Sequence, residues 1–210
     1  MDRPARESVR RALAEYRPPA VDDNDLTPAA VLILLYGRGE GSTVLLSKRS
    51  DVLETHPGEI SFPGGRCEST DADLLQTALR EAHEEVGVAP ADVDVLGELG
   101  RFSTSSNFAI STFVGAIDHP YRFTINTAEV AKLVEVPLRE LMDRDNLRDD
   151  VRIVDGGLTV MPAFSHAGHI IFGATARILD RLVEVLSRGD AWQALVPTVT
   201  PATAANTSPV

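Results

Sequence analysis

The sequence predicts an α/β fold in which a mixed β-sheet lies between helices. Two observations lead to this prediction: apolar runs of strand length, and segments whose apolar residues recur every three or four positions. Along the chain they follow the order helix, strands, acidic helix, strands, helix, which is typical of layered α/β domains. With 210 residues, 43% hydrophobic and 24% charged, the chain is long enough for one domain with a sizeable core.

The individual elements are predicted from local signals. Aliphatic and β-branched runs bounded by glycine or polar turns predict strands, and helical spacing that ends at proline or glycine predicts helices. The strands are predicted at residues 29–36, 43–48, 93–102, 109–117, 151–154 and 158–164, with Glu129–Leu138 as a strand that enters a short helix. The helices are predicted at 5–16, in the acidic segment before Gly87, and at 171–187.

Composition and charge narrow the choice of partner. A net charge of −11 argues against nucleic acid or an anionic membrane as the main partner. The N-terminus lacks the apolar run of a secretory signal, no stretch reaches the roughly 18 apolar residues of a membrane span, and the single Cys67 excludes an internal disulfide. We therefore expect a cytoplasmic protein. Its predicted organisation is an N-terminal helix and linker at 1–27, a main domain at 28–190 and a disordered tail at 191–210.

Three carboxylates cluster on one side of the acidic helix. Glu81, Glu84 and Glu85 have the spacing i, i+3 and i+4, which places them within an arc of about 100°. Like charges at this spacing repel, and a hard divalent cation is the simplest way to offset the repulsion. Arg80 stands four residues before Glu84 and can brace it. The string REAHEE by itself is equally compatible with a solvated acidic face.

The opposite side of the same helix is apolar, so the carboxylates are expected on a rigid, packed element. Thr70, Asp71 or Asp73 can cap its start, and Gly87 is well placed to end it. The apolar side is formed by Leu75, Ala78, Leu79, Ala82 and Val86.

The acidic helix resembles the Nudix box, whose pattern is G-x5-E-x7-R-E-U-x-E-E-x-G-U with U apolar. The segment from Gly65 to Arg80 is one residue longer than this pattern, and Asp71 and Asp73 bracket the early glutamate position. The resemblance implies the Nudix fold, an α/β/α sandwich with a mixed sheet, over about residues 28–188. The matching positions are Arg80, Glu81, Ala82, Glu84, Glu85, Gly87 and Val88.

The connection ahead of the box resembles the signature of coenzyme A pyrophosphatases in the Nudix superfamily, L-L-T-x-R-S/A-x3-R-x3-G-x3-F-P-G-G. Ser47 replaces the threonine, and Glu54 replaces an arginine and so reverses its charge. A connection as long as residues 49–65 is itself typical of a functional loop or of a disordered segment. After Leu45 and Leu46, the matching residues, which the resemblance implies bind substrate, are Arg49, Ser50, Gly58, Phe62, Pro63, Gly64 and Gly65.

The resemblance implies a metal-dependent hydrolase of a diphosphate. Glu81, Glu84 and Glu85 would hold Mg²⁺ or Mn²⁺; Glu81, Glu84, Arg80 and Glu129 would form the catalytic set, with Glu81 or Glu129 as base. The implied substrate is coenzyme A or an acyl derivative, cleaved to 3',5'-ADP and 4'-phosphopantetheine or its acyl form. A homodimer is a further implication of the family.

Other functions remain open from the sequence. A Nudix hydrolase of ADP-ribose, NADH or a nucleoside triphosphate fits the same box, and Glu54 is the reason to retain it. A nucleotide-binding Nudix domain that regulates a partner is the alternative of a different class, although a pure binder has no need of all three glutamates. His166 and His169 lie three residues apart, a spacing that fits turn or core histidines better than a metal pair.

Overall fold

The computed structural model describes residues 1–23, 25–39, 41–143, 145–154 and 157–196. The helices are α1 (Arg3–Glu15), α2 (Leu74–Val86), α3 (Leu138–Leu141), α4 (Gly173–Leu186) and α5 (Ala191–Leu195). The strands are β1 (Thr27–Arg38), β2 (Gly41–Arg49), β3 (Ile60–Ser61), β4 (Gly64–Arg66), β5 (Asp94–Ser103), β6 (Phe108–Ala116), β7 (Val130–Pro137), β8 (Leu147–Val154), β9 (Gly157–His166) and β10 (His169–Ile171).

A mixed sheet forms the centre of the molecule. Among the described residues its strands follow the order β3-β2-β1-β6-β5, with β4 added to β1 and β7 added to β2. The β1–β6 pair is parallel and the other pairs are antiparallel. The predicted hairpin of the first two strands is present, with Leu34 opposite Leu45. The predicted α/β class with a mixed sheet is therefore confirmed.

The two faces of the sheet carry separate cores because side chains alternate along each strand. On β1, Leu32 and Leu34 pack towards α2, whereas Ile33 and Leu35 pack towards α1, α4 and α5. These four side chains are fully buried. The sheet is thus covered by helices on both faces, and among the α-helices of the described residues only α2 lies on its side.

The acidic helix α2 has the ends and the packing that its sequence predicts. The Asp73 carboxylate accepts a hydrogen bond of 2.8 Å from the backbone N–H of Gln76, which caps the first turn. Gly87 ends the helix in the left-handed conformation, with φ 73°. Ala78 and Ala82 are fully buried, so small side chains bring the helix close to the sheet.

Both ends of the described chain pack onto the main core. Val9 of α1 is fully buried, so this helix shares the core of the main domain. The prediction that disorder starts at residue 191 is wrong for the first turns of that segment, because α5 buries Ala191 and Leu195 in the same core. The rest of the predicted tail, residues 197–210, lies outside the described residues. No helix of the described chain is long and apolar enough to cross a membrane.

A smaller sheet with the order β10-β9-β8 follows α3. The paired strands β8 and β9 extend beyond the predicted segments 151–154 and 158–164, and Val154 pairs with Gly157. The predicted turn residues 155–156 lie outside the described residues. His166 and His169 face each other across β9 and β10, and the His166 ring nitrogen lies 2.7 Å from the Glu140 carboxylate. His166 is therefore held by a carboxylate of α3.

Candidate active site

A glycine pair brings the main chain against the acidic helix. β4 pairs with the start of β1, which places Gly65 opposite Ala30. A Cβ on Gly65 would overlap the Glu81 carboxylate, and a Cβ on Gly64 would overlap the carbonyl oxygen of Ala30. Only glycine leaves room for this approach. Gly64 and Gly65 thus form a backbone cradle beside Glu81.

Glu85 lies at the bottom of the same cradle. Its side chain is almost fully buried, it accepts a hydrogen bond from the Gly64 N–H, and its Oε2 has no hydrogen-bond partner in the described part of the chain. Burial, and then the charges of Glu81 and Glu129, raise the pKa of Glu85 to about 8, although the Arg49 charge lowers it. Burial also raises the pKa of Glu81. Glu81 and Glu85 lie one helical turn apart, and in both the ionised form of the carboxyl is destabilised.

Arg80 fixes the outer part of the helix through several carboxylates. Its Nε and Nη2 bind the two oxygens of Asp71 at 2.9 and 3.1 Å, and its Nη1 lies 3.1 Å from Glu81 and 3.0 Å from Glu84. The Asp71 side chain is only 4% exposed, and its bond to Arg80 holds the pKa of that carboxyl well below its usual range. The predicted brace from Arg80 to Glu84 is present. Asp71, considered in the sequence as a possible cap and as one of the two residues that bracket the early glutamate position, proves to be the main partner of Arg80.

Glu129 approaches the cradle from the start of β7. Its charge acts on both Glu81 and Glu85, and its Oε1 accepts a hydrogen bond of 3.0 Å from the Asn126 side-chain amide. The backbone N–H of Asn126 donates to the Glu85 carbonyl oxygen at 2.9 Å, which ties this loop to α2. Asn126 was missed from the sequence because no spacing connects it with the acidic helix.

Arg49 lies at the end of β2 on the cradle side of the sheet. Its Nε is buried without a hydrogen-bond partner in the described part of the chain, and its Nη2 lies 3.5 Å from the Thr55 carbonyl oxygen. The charge of Arg49 acts on Glu85. Two buried polar atoms of the described chain, one donor and one acceptor, thus lack partners on side chains whose charges interact, and such unsatisfied atoms are rare in a folded protein.

The loop after Arg49 is fixed on the other face of the sheet. Lys48 and Asp51 form an ion pair of 3.1 Å, and a Cβ on Gly58 would lie 2.7 Å from Asp51 Oδ1. Gly58 has φ +72°, which also favours glycine. Gly58 therefore lies against this ion pair and shapes the loop, and its predicted role in substrate binding stays a prediction.

Three further residues of the signature pack or form backbone hydrogen bonds within the folded domain. Phe62 is 2% exposed and packs in the core on the face away from α2, and its predicted contact with substrate stays a prediction. Pro63 is buried, and its carbonyl oxygen accepts from the Leu32 N–H at 2.9 Å. Ser50 donates its backbone N–H to the Glu129 carbonyl oxygen at 2.7 Å. Ser50 thereby links the end of β2 to the loop that carries Glu129.

Glu54 is exposed in this loop, and most of the nearby cations are engaged elsewhere. Lys48 pairs with Asp51, His56 lies 3.1 Å from Glu59, and the Arg66 guanidinium stands 5.0 Å from the centre of the Phe108 ring. Arg49 differs from them, because one of its buried donors has no partner. Arg49 is therefore the cation best placed to meet a bound anion.

The residues of the cradle fit a hard divalent cation. Glu81 and Glu85 supply carboxylate oxygens, and the unpartnered Oε2 of Glu85 is a buried acceptor that a cation would satisfy. Glu84, whose side chain is 52% exposed, turns to Arg80. Among the described residues no three acidic, histidine or cysteine side chains stand close enough to form a complete ligand set. The set Glu81, Glu84 and Glu85 therefore stays a prediction, and water or phosphate oxygens would supply the remaining ligands.

The fold and the cradle together define a class of protein: an α/β domain in which an acidic helix and a glycine-containing strand form a site whose carboxylates fit a divalent cation. The chain belongs to the NUDIX domain family, whose profile matches residues 26–155. It is therefore a Nudix hydrolase, and members of this family act on small nucleotide derivatives with divalent metals such as Mg²⁺.

Known proteins agree with this assignment. An uncharacterized Nudix hydrolase, NudL, of Yersinia enterocolitica is 40% identical over 157 residues, which cover 74% of this chain and 80% of that protein. RenU, a Nudix hydrolase from M. smegmatis, matches in structure with a TM-score of 0.52 and 22% identity over 77% of this chain and 86% of its own. A MutT/nudix family protein from Enterococcus faecalis matches with a TM-score of 0.53 and 12% identity over 87% and 71%. These structural likenesses support the fold.

Proposed function

We propose that the chain hydrolyses the diphosphate of coenzyme A or an acyl-coenzyme A to 3',5'-ADP and 4'-phosphopantetheine or its acyl form. The observation that carries the proposal is Arg49. Arg49 belongs to the stretch that resembles the coenzyme A pyrophosphatase signature, its charge acts on Glu85, and its buried Nε has no hydrogen-bond partner among the described residues. A phosphate oxygen is a natural acceptor for it, since charge-assisted bonds from arginine to phosphate are strong. We also propose a cytoplasmic location, which rests on the single cysteine.

Each residue of the cradle would have a separate role in hydrolysis. Arg49 would hold one phosphate of the diphosphate, and the Gly64–Gly65 backbone would leave room for it beside Glu81. A divalent cation bound at Glu81 and Glu85, with Glu84 as a further ligand, supplies charge neutralisation and activation of the attacking water. Water attacks one phosphorus, the phosphorus–oxygen bond of the anhydride breaks, and the proton of the water passes to a carboxylate of the site.

Two carboxylates are candidates for the base. Glu81 has a raised pKa, which brings it closer to neutral pH, as efficient proton transfer requires. Glu129 is oriented by the Asn126 amide at 3.0 Å, which leaves its second oxygen free of that bond. The kinetics of the variants Glu81→Gln and Glu129→Gln distinguish the two candidate bases. Loss of the base removes about 10²–10⁴-fold of kcat and abolishes the acidic limb of the pH–rate profile, whereas loss of a positioning residue keeps that limb.

A substrate panel tests the proposal. Purified protein with Mg²⁺ or Mn²⁺ is assayed against coenzyme A, acetyl-coenzyme A, ADP-ribose, NADH and nucleoside triphosphates, with the products identified by mass. Preferred turnover of the coenzyme A compounds supports the proposal. Turnover of the others alone refutes the substrate, and no turnover of any refutes catalysis and leaves a nucleotide-binding domain.

A second candidate substrate is ADP-ribose or another nucleoside diphosphate derivative. The observation that favours it is Glu54, an exposed negative charge where the coenzyme A signature has an arginine. The matched variant is Glu54→Arg, which restores the signature without touching the cradle. If coenzyme A is the substrate, the variant should lower the KM for coenzyme A, because a cation replaces an anion in the loop. An unchanged KM for coenzyme A together with a changed KM for ADP-ribose supports the second candidate.

A further inference from the structure

The loop that precedes β7 is bound to the end of the acidic helix α2. The Thr124 N–H donates to the Val86 carbonyl oxygen at 3.0 Å, and the Asn126 N–H donates to the Glu85 carbonyl oxygen at 2.9 Å. Carbonyl groups at the end of a helix have no partner within it, so the loop supplies one. A Cβ on Gly87 would lie 2.9 Å from Thr124, because the loop passes directly over the helix end. The loop and the helix that carries the site carboxylates therefore hold each other in place.

Asn126 then folds the chain into a tight turn that leads to Glu129. Its carbonyl oxygen accepts from the N–H groups of Glu129 and Val130 at 3.0 and 2.8 Å. Its side-chain oxygen accepts from the Ala128 N–H at 3.2 Å. A bond from the side chain to the backbone two residues on is an Asx turn, which asparagine and aspartate both form. The side-chain oxygen of Asn126 thus shapes the backbone of the turn.

The side-chain nitrogen of Asn126 has a different effect, because it fixes the carboxylate of Glu129. The backbone of Glu129 is already held, since its carbonyl oxygen accepts from the Ser50 N–H at 2.7 Å. Its side chain could still rotate about its single bonds, and the negative charges of Glu81 and Glu85 favour a rotation away from the cradle. The Asn126 amide donates to Glu129 Oε1 at 3.0 Å and so opposes that rotation.

We propose that Asn126 is a positioning residue for hydrolysis: its amide holds the Glu129 carboxylate towards the cradle, so that Glu129 takes the proton of the attacking water. This role rests on the proposed function and decides between its two candidate bases. Glu81 accepts from Arg80 at 3.1 Å and is a proposed ligand of the cation, and both positive neighbours weaken it as a proton acceptor. One O–H bond of the water breaks, and its proton passes to Glu129 Oε2. The water oxygen bonds to phosphorus, and the bridging oxygen of the anhydride leaves with the other phosphate.

The variant Asn126→Asp separates the two effects of this side chain. Aspartate keeps the oxygen that shapes the turn, loses the N–H that bonds to Glu129, and adds a negative charge beside it. kcat should fall by about 10–100-fold with KM nearly unchanged, because only the proton transfer is impaired. A purely structural role predicts kcat near wild type, since the turn is kept.

A double-mutant cycle measures whether Asn126 acts through Glu129. In a Glu129→Gln background the proton acceptor is already lost and the repulsion is removed, so adding Asn126→Asp should lower kcat by less than about twofold further. The assay uses the full chain with Mg²⁺ and the compound of the substrate panel that wild type turns over fastest. The cycle therefore does not require that coenzyme A be the substrate.

Two further variants keep the measurement specific. Asn146→Asp is the matched control: its amide donates to the Glu140 carbonyl oxygen at 3.1 Å, and the eight residues of β7 separate Glu140 from Glu129 by about 25 Å. Its kcat should equal that of wild type. Asn126→Ser adds no charge, keeps an oxygen for the turn and is too short to reach Glu129, so its kcat should fall as in Asn126→Asp. Circular dichroism melts check that each variant is folded at the assay temperature.

Each contrary result overturns a stated assignment. Unchanged kcat in both Asn126 variants, or an equal loss in the Glu129→Gln background, overturns the role of Asn126 and leaves the hydrolysis standing. So does an equal loss in Asn146→Asp, which would show a general effect of added charge. Wild-type kcat in Glu129→Gln overturns Glu129 as the base and the role of Asn126 with it. No turnover of any compound by wild type overturns the proposed hydrolysis, and this role falls with it.

Discussion

Replacing Glu85 by glutamine should stabilise the metal-free protein while destroying its activity. The Glu85 carboxyl is almost fully buried, and burial beside Glu81 raises its pKa from an ordinary 4.5 to about 8. Ionising this carboxyl at neutral pH therefore lowers the free energy of unfolding. Glutamine has nearly the same shape, keeps an oxygen for the Gly64 N–H and has no charge to bury.

The magnitude follows from proton linkage. The folded protein holds the Glu85 proton up to about pH 8, whereas the unfolded chain releases it near pH 4.5. Between these values the folded state binds more protons, so this group lowers the free energy of unfolding as the pH rises. The cost is near zero below pH 4.5, about 3 kcal/mol at pH 7 and about 5 kcal/mol above pH 8. For a chain of this length, 3 kcal/mol corresponds to about 6–12 °C in Tm.

Thermal melts of wild type and Glu85→Gln with EDTA, at steps from pH 5 to pH 8.5, measure this difference. The gap in Tm should widen with pH, and Mg²⁺ should narrow it because a cation offsets the charge only in wild type. Glu84→Gln is the matched control: its side chain is 52% exposed, so its Tm should stay close to wild type at every pH. A Glu85→Gln protein that melts below wild type at pH 7, or a gap that does not change with pH, refutes the reasoning.

Three further variants test the cradle. Gly65→Ala should lower kcat by about 100-fold or more, because its Cβ displaces the Glu81 carboxylate; kinetics and a circular dichroism spectrum measure this. Arg80→Lys should lose about 3 kcal/mol of stability in urea titrations, because one ammonium cannot bind both oxygens of the buried Asp71. Arg49→Gln should raise KM for a diphosphate substrate by roughly 10–100-fold, since a bond to a charged group is lost.

Each of these variants has a matched comparison. Gly41→Ala is the control for the cradle glycine, because a Cβ there meets its nearest neighbour, the Leu195 carbonyl oxygen, at 3.5 Å and the backbone is not left-handed. Arg139→Lys, an exposed change, is the control for Arg80. Normal kcat in Gly65→Ala, full stability in Arg80→Lys, or unchanged KM in Arg49→Gln would each contradict the role assigned above.

Local features of the fold were predictable, and long-range contacts of the site were not. The Asp73 cap and the Gly87 end of α2 follow from short-range backbone chemistry. The spacing of Glu81, Glu84 and Glu85 predicts one helical side, and the i, i+4 spacing of Arg80 and Glu84 predicts the brace that is present at 3.0 Å. The bonds of the same arginine to Asp71, nine residues earlier, were not predicted.

Contacts between distant segments carried no signal in the sequence. The approach of Arg49 to Glu85 depends on how α2 packs against the sheet that contains β2. The bond from Asn126 to Glu129 depends on a loop whose backbone is bound to α2. The exposure of the β8–β9 hairpin was not predictable either, because its aliphatic pattern is equally compatible with a covered strand and an exposed one.

The incomplete hydrogen bonding of the cradle explains why its residues come from two motifs. Among the described residues the Nε of Arg49 and the Oε2 of Glu85 have no hydrogen-bond partner, although the Arg49 charge acts on Glu85. A direct pair would satisfy both and close the site. Held apart, each needs an external partner: a phosphate oxygen for the loop arginine and a cation for the helix carboxylate. Since a metal-bound diphosphate supplies both at once, we infer that substrate and cation bind this cradle cooperatively.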